Sequence, residues 1–251
     1  MPLHVERTGR GPRLTLVHGF TQSARCWGPE ADALAEDHQV LRVDAPGHGR
    51  SAAVAADLPR TADLLVEAGG AGTYVGYSMG ARMCLHAALA HPDLVRGLVL
   101  VSGTPGIEDD AERAARHAQD RETAERLRAQ GLPRFLDDWL AQPLFASLPP
   151  EAAFREERLA GSVEGLARSL ELAGTGSQQP LWDRLPELRM PVLVVAGALD
   201  AKFAAIAERM VAAIGAHAAL AVIPGAGHTV HLEAPDAFLG VLRPWLAAHG
   251  L

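Results

Sequence analysis

The sequence of 251 residues is poor in lysine and has no long apolar run. Its 23 basic residues are 22 arginines and a single lysine, Lys202, and they form no basic cluster in a chain of net charge −7. Binding to nucleic acid usually needs a clustered basic patch, and a membrane span needs about 20 apolar residues in succession. We therefore expect neither a nucleic acid nor a membrane as a partner.

Cysteine is also scarce, with only Cys26 and Cys84 far apart in the chain. The two cysteines are isolated and neither belongs to a zinc-binding spacing, so we expect no disulfide and no metal. We also expect no cofactor. The first residues lack the charged and apolar regions of a secretory signal. These features favour a reduced, cytoplasmic protein. No feature of the sequence indicates an oligomeric state.

Short apolar runs rich in valine, leucine and isoleucine recur along the chain, and helical patterns follow them. These runs predict strands at 14–17, 40–43, 73–76, 97–101, 192–196 and 219–223. The helical patterns include 81–90, 204–213 and 237–248. Continuous apolarity is typical of strands that are buried on both faces of a parallel sheet. The sequence therefore predicts an α/β fold with a doubly wound, mostly parallel sheet.

The alternation of strand and helix stops between Thr104 and Pro191. Helical patterns occupy this stretch, at 109–130, 135–140 and 151–159. An insertion at this point lies at the carboxyl edge of the sheet, where ligand sites of α/β proteins form. We expect residues 1–104 and 191–251 to form the core and residues 105–190 to form a helical cap over the site.

Residues 73–82, TYVGYSMGAR, run from an apolar strand through the pattern G-x-S-x-G into a helix. A sharp turn between strand and helix strains its central residue and needs small neighbours. Ser78 would then lie exposed at the edge of the sheet, at a helix N-terminus that favours negative charge. The short motif alone is weak evidence, and its position between strand and helix is what favours a nucleophile.

Two further residues follow apolar runs in the order that this architecture needs. Asp200 comes after the run at 192–197, and His228 comes after the run that ends at 223. Separately, Asp200 is compatible with a helix cap and His228 with an ordinary loop residue. Together with Ser78 they predict a triad, in which the carboxylate orients the imidazole and the imidazole takes the serine proton.

Backbone N–H groups of Met79 and Phe20 are the predicted oxyanion donors, because one follows the serine and the other lies in the glycine loop after an early strand. The glycine loop at 44–51 lacks G-x-G-x-x-G and any Lys-Ser/Thr pair, so we interpret it as a structural turn. His228 and His231 lack the H-E-x-x-H arrangement, and no metal is expected there.

Several motifs together resemble the α/β-hydrolase superfamily across almost the whole chain: HGF at 18–20, DAPGHG at 44–49, GYSMGAR at 76–82 and GAGH at 225–228. Narrower segments resemble the 2-succinyl-6-hydroxy-2,4-cyclohexadiene-1-carboxylate synthases of menaquinone biosynthesis, namely TPGI at 104–107, ERAAR at 112–116, DWLAQPLFASL at 138–148 and DAKF at 200–203. The resemblance implies an α/β-hydrolase fold with a helical cap. It also implies a lyase that eliminates pyruvate from 2-succinyl-5-enolpyruvyl-6-hydroxy-3-cyclohexene-1-carboxylate.

The resemblance also assigns roles to individual residues. Ser78, activated by His228 and Asp200, would abstract a proton, and the amides of Phe20 and Met79 would bind the enolate oxygen. The small anionic substrate would be bound by Tyr77, Arg82, Arg116 and Trp139. Where the family has a further arginine in the later cap, this chain has Ala160, so either Arg158 replaces that arginine or the contact is missing. We interpret Lys202 as structural support for the loop of Asp200.

Other interpretations of the same residues stay open. The triad is equally suited to hydrolysis of an ester or a carbon–carbon bond in a small anionic substrate. A non-catalytic scaffold that only binds a ligand is a third hypothesis, although it does not explain an intact triad. Arg116 lies in a helix of alternating charges, and without the resemblance it would be interpreted as part of a solvated face. Trp139 is compatible with the core of the cap.

Overall fold

The computed structural model describes residues 1–251 and contains one seven-stranded sheet. Its strands are β1 (Val5–Thr8), β2 (Arg13–Val17), β3 (Gln39–Val43), β4 (Gly72–Tyr77), β5 (Val95–Val101), β6 (Val192–Gly197) and β7 (Ala218–Ile223). The order across the sheet is β1-β3-β2-β4-β5-β6-β7. Only β1 runs antiparallel to its neighbour. This topology confirms the predicted doubly wound, mostly parallel sheet.

The two edge strands differ from the expectation. The sequence pattern did not predict β1, because its four residues VERT are mostly polar and too few to show a pattern. The apolar run of β7 predicted a strand buried on both faces, and this was wrong. No strand pairs with the outer edge of β7, so Leu220 and Val222 are each 38% exposed.

Ten α-helices connect and cover the strands. They are α1 (Gly28–Leu34), α2 (Leu58–Gly69), α3 (Met79–Ala90), α4 (Asp110–Gln130), α5 (Leu132–Leu140), α6 (Arg155–Leu159), α7 (Val163–Ala173), α8 (Ala201–Ile214), α9 (Val230–Glu233) and α10 (Pro235–His249). None of them combines the length and the apolarity that a membrane span requires.

Helices cover both faces of the sheet. Leu64 of α2, Met83 of α3 and Met210 of α8 belong to one buried apolar cluster against the strands. Leu34 of α1 and Phe238 of α10 belong to a second cluster, formed with the opposite faces of the strands. The carboxyl ends of β4, β5 and β6 therefore lie between two packed layers, which fixes the positions of the loops that follow them.

The stretch between β5 and β6 contains four of the α-helices, α4 to α7, and no strand. It has a small apolar cluster of its own, which includes Leu127, Phe135 and Leu166. Arg128 of α4 binds the carboxylates of Glu164 and Glu171 of α7. We call this stretch the helical insertion. Its status as a separate cap domain, with bounds at 105 and 190, stays a prediction.

One predicted helix of the insertion is interrupted. A helix was expected over 151–159, whereas the structure has a 3₁₀ turn at Pro150–Ala153 and then α6. Phe154 between them has a φ of 51°, which is left-handed backbone. The carbonyl of Ala153 accepts a hydrogen bond from Nε of Arg158 at 2.7 Å instead of continuing a helix. The apolar pattern was continuous across this break, so the sequence did not show it.

Candidate active site

Ser78 lies in the sharp turn between β4 and α3, with φ 51° and ψ −106°. Its N–H donates to the carbonyl of Val101 at 2.8 Å, which holds the turn against β5. The flanking glycines permit this geometry. A Cβ on Gly80 would lie 2.1 Å from the carbonyl oxygen of Val17, and one on Gly76 would lie 2.3 Å from the carbonyl oxygen of Gly80. The strained serine predicted from the motif is therefore present.

The structure brings Ser78, His228 and Asp200 together. Nε2 of His228 lies 3.1 Å from Oγ of Ser78, and Nδ1 of His228 lies 2.8 Å from Oδ2 of Asp200. The other carboxylate oxygen of Asp200 accepts the N–H of Phe203 at 3.2 Å and so caps α8. Asp200 is therefore placed both to orient the imidazole and to cap α8, and its part in a catalytic triad stays a prediction. With Nδ1–H donated to the carboxylate, Nε2 is left to accept the serine proton.

The N–H groups of Phe20 and Met79 have no acceptor within the protein. His18 sets the loop of Phe20: its Nδ1 lies 2.8 Å from the carbonyl of Gly19, and its Nε2 accepts the N–H of Ala45 at 3.1 Å. Burial lowers the pKa of His18 to about 4, so the ring stays neutral and can accept that N–H. The motif HGF at 18–20 does not by itself indicate this role of His18.

A cavity of about 890 Å³ opens beside Ser78, with walls from the core and from the helical insertion. Of the predicted site residues, it is lined by Phe20, Tyr77, Ser78, Met79, Arg82, Arg116, Trp139, Arg158 and His228. Asp200 does not line it. Asp200 lies with His228 on the wall of a second, smaller cavity of about 290 Å³.

Arg82 is a buried cation on the wall of the large cavity, with 6% of its surface exposed. Its Nη1 donates to the carbonyl of Ala173 at 2.9 Å and to Oε1 of Gln178 at 3.3 Å, and no carboxylate pairs with it. Burial and the nearby charge of Arg116 lower the pKa of Arg82 to about 10. A guanidinium buried without a counter-ion is costly, and an anionic ligand in the cavity would supply the missing charge.

Arg116 lies on the same wall but is paired. Its Nε donates to Oδ1 of Asp120 at 2.8 Å, and its Nη2 donates to the hydroxyl of Thr175 at 3.2 Å. Its side chain is 38% exposed while Asp120 is buried. Arg116 is therefore held toward the cavity by an ion pair, rather than solvated on an open helix face.

Arg158 is 1% exposed, and its hydrogen bonds go to the protein. Besides the carbonyl of Ala153, it contacts the carbonyl of Phe20 at 3.4 Å and the hydroxyl of Thr21. Thr21 has a φ of 67°, so the loop after Phe20 is strained where Arg158 holds it. The structure thus places Arg158 where it holds the loop of Phe20. A contact of Arg158 with substrate stays a prediction.

Tyr77 and Trp139 complete the cavity wall beside the serine. Tyr77 is 3% exposed, and its hydroxyl lies 3.0 Å from that of Thr229. The indole of Trp139 packs edge-on against Phe20, with ring centroids 5.1 Å apart. Nε1 of Trp139 has no acceptor within the protein. Trp139 therefore offers a buried donor at the cavity wall, where a ligand can accept it.

The contacts of Lys202 do not match its predicted role as support for the loop of Asp200. It is exposed, it lines the cavity, and it makes no hydrogen bond or ion pair with the loop of Asp200. The nearby Arg209 binds the carboxylate of Glu108 through two nitrogens and lies 3.8 Å from the ring centroid of Trp182. Lys202 is thus a free cation beside the site, and it does not support the loop of Asp200 as predicted. No group of three or more metal-ligating side chains is present.

Comparisons with known proteins identify the family of this chain. Residues 16–241 match the model of the alpha/beta hydrolase family. A putative 2-succinyl-6-hydroxy-2,4-cyclohexadiene-1-carboxylate synthase of Bacillus subtilis is 34% identical over 92% of this chain and 89% of its own length. The synthase of Yersinia pestis (strain Nepal516) is 33% identical over 94% and 88%.

Two solved structures are similar to this one over almost the whole chain. MenH from S. aureus matches with a TM-score of 0.89 and 30% identity over 99% of both chains. A thermophilic esterase from Thermogutta terrifontis, with malate bound, matches with a TM-score of 0.86 and 27% identity over 98% of this chain and 93% of its own. The chain therefore belongs to the α/β-hydrolase family and, within it, to the family of the 2-succinyl-6-hydroxy-2,4-cyclohexadiene-1-carboxylate synthases.

Proposed function

We propose that this protein is a lyase that eliminates pyruvate from 2-succinyl-5-enolpyruvyl-6-hydroxy-3-cyclohexene-1-carboxylate. The observation that carries the proposal is the buried, unpaired guanidinium of Arg82 in the same cavity as Ser78 and His228. That substrate bears three carboxylates, and one of them can pair with Arg82, which forms no ion pair within the protein. A neutral ester would leave Arg82 without a counter-ion.

The chemistry starts with a proton on the ring carbon next to the succinyl ketone. Nε2 of His228 takes the proton of Ser78, and the serine oxygen takes the ring proton. The negative charge moves onto the ketone oxygen, where the N–H groups of Phe20 and Met79 stabilise it by several kcal/mol. As the enolate collapses, the ring double bond shifts and the C–O bond to the enolpyruvyl group breaks. The enolate of pyruvate leaves and takes up a proton, which His228 can return.

The arginines bind the substrate rather than react with it. Arg82 and Arg116 lie on one wall of the cavity, close enough for the charge of Arg116 to affect Arg82. Each charge-assisted contact with a carboxylate contributes about 1.5–3 kcal/mol. Two such contacts orient the ring, so that its acidic C–H faces Ser78. Both cysteines are buried and unpaired, which fits our proposal that the reaction takes place in the cytoplasm.

The direct test is release of pyruvate from the enolpyruvyl substrate, followed as oxidation of NADH by added lactate dehydrogenase. We expect turnover by the wild-type protein and a loss of several orders of magnitude in Ser78→Ala. Ser177→Ala serves as a matched control, because Ser177 is a part-buried serine whose hydroxyl bonds the carbonyl of Glu171 outside the cavity. A folded wild-type protein that released no pyruvate would refute the proposal.

A second candidate is hydrolysis of a small anionic ester. Two free amides near a serine–histidine pair are also what acyl transfer needs, and the similar Thermogutta esterase has malate bound. The test compares p-nitrophenyl acetate with the p-nitrophenyl monoester of succinate. A burst of p-nitrophenol and rapid turnover of the succinyl ester, without any release of pyruvate from the enolpyruvyl substrate, would favour the hydrolase.

A further inference from the structure

Glu233, the last residue of α9, binds the backbone on both sides of His228. Its Oε2 accepts the N–H of Gly227 at 2.6 Å, and its Oε1 accepts the N–H of Thr229 at 2.7 Å. Both oxygens of one carboxylate are thus used on the two residues that flank the histidine. Hydrogen bonds from amides to a carboxylate are shorter and roughly twice as strong as neutral ones.

Backbone hydrogen bonds hold the two ends of the His228 loop: the carbonyl of Ala226 accepts the N–H of Leu199 at 2.9 Å, and the carbonyl of Thr229 accepts the N–H of Leu232 at 2.9 Å. α9 is a single turn of four residues, and the hydroxyl of Thr229 binds the hydroxyl of Tyr77. The imidazole must reach Asp200 with one nitrogen and Ser78 with the other, so small rotations of residues 227–229 would break one of these contacts. A displacement of about 1 Å at a reacting group can cost a hundredfold in rate. The side chain of Glu233 binds the amides on both sides of His228 and so limits these rotations.

Glu233 also contributes charge near the imidazole. The other ionisable groups around His228 are Tyr77, Arg158, Asp200, Lys202 and His231. Burial lowers the pKa of His231 to about 3 and raises the pKa of Tyr77, so both stay neutral at moderate pH. The carboxylates of Glu233 and Asp200 both lie near the imidazole, where they stabilise the positive charge that His228 gains when it takes the serine proton.

We propose that Glu233 is a positioning residue of the triad, which fixes the backbone of His228 and stabilises the positive charge that the imidazole gains during reaction. This inference rests on the proposed function only in taking Ser78 and His228 as the reacting pair. It is therefore testable with a probe that reacts with an activated serine and does not depend on the enolpyruvyl substrate.

The experiment measures the rate at which a fluorophosphonate labels Ser78, by intact mass, from pH 5 to 9. Oγ of Ser78 attacks phosphorus, the P–O bond forms as the P–F bond breaks, fluoride leaves, and the serine proton passes to His228. In Glu233→Gln the side chain keeps its shape, but one amide loses its acceptor and the charge is lost. We expect labelling to slow about 10- to 100-fold and the acidic limb of the pH profile to move to lower pH.

Two further variants separate position from charge. Glu233→Asp keeps the charge but is too short to reach both amides, so labelling should slow while the acidic limb stays in place. Asp236→Asn is the matched control, because Asp236 is an exposed carboxylate in the first turn of α10 and caps no amide of the His228 loop. Its labelling and pH profile should match the wild type.

A wild-type rate and pH profile in Glu233→Gln would overturn the inference, and so would an equal shift in Asp236→Asn. If Glu233→Gln does not fold, Glu233→Asp decides, since labelling at the wild-type rate by this variant contradicts positioning. The proposed function has a separate test. Wild-type protein that is labelled at Ser78 but releases no pyruvate would refute the lyase activity and leave the role of Glu233 intact.

Discussion

Replacing Arg82 with alanine tests whether the cavity binds a carboxylate. The variant removes a guanidinium that is 6% exposed and has no acidic partner. Loss of one charge-assisted contact costs about 1.5–3 kcal/mol, which corresponds to roughly a 10- to 150-fold fall in kcat/KM. Arg82→Lys keeps a charge but not the forked geometry, so we expect an intermediate fall. The measurement is the initial rate of pyruvate release over a range of substrate concentrations.

The same substitution also removes two internal hydrogen bonds, so stability needs a control. Arg13 donates to a backbone carbonyl, that of Gly69 at 3.0 Å, and to Oε1 of Gln39 at 3.1 Å, which are the same kinds of acceptor that Arg82 has. It lies outside the cavity. Arg13→Ala should therefore leave kcat/KM unchanged. An Arg82→Ala protein with wild-type kcat/KM would contradict the carboxylate site.

Three further predictions concern single residues. Lys202→Ala should raise KM several-fold with little change in kcat, because a free cation leaves the cavity wall; an unchanged KM in the same pyruvate assay would count against it. Gly80→Ala should lower the melting temperature sharply, because the added Cβ would lie 2.1 Å from the carbonyl oxygen of Val17. Gly240→Ala is the control: its added Cβ would meet no atom within 4 Å, so this variant should be more stable by about 0.5–1 kcal/mol. Burial raises the pKa of Glu30 to about 7 from 4.5. The ionised carboxylate therefore destabilises the folded protein, and this effect is absent below pH 4.5 and complete above pH 7. In urea unfolding, Glu30→Gln should then be more stable than wild type by up to about 3 kcal/mol at pH 8 and equal to it at pH 4.5. A difference in stability that grew toward low pH would refute this.

The sequence predicted the parts of the fold that local pattern determines. Six of the seven strands are five to seven residues long and contain a mostly apolar run of four or five residues, and each was identified. Ser78, Asp200 and His228 were found because each follows such a run, and strand ends in a parallel sheet meet at one edge. The charged face of α4 did not show that Arg116 is paired with Asp120 at the cavity wall.

The rest depends on contacts between residues far apart in the chain. Arg158 binds a loop 137 residues earlier, and nothing in the composition of α6 indicates that partner. Glu233 is five residues beyond His228, and only the return of the chain at α9 brings its carboxylate to the amides on either side. Burial of Arg82 without a counter-ion is likewise a property of the packed structure, because its partners lie on the helical insertion.

The contact between Arg158 and the loop of Phe20 limits how this fold can be recombined. The guanidinium that holds Phe20 and Thr21 belongs to α6 of the insertion, so this loop is held by a segment outside its own strand and turn. A chimera that took residues 105–190 from an esterase without a matching arginine would keep the triad and still lose that support. Exchange of substrate specificity in this protein therefore requires the insertion and the loop at 18–22 to be transferred as a pair.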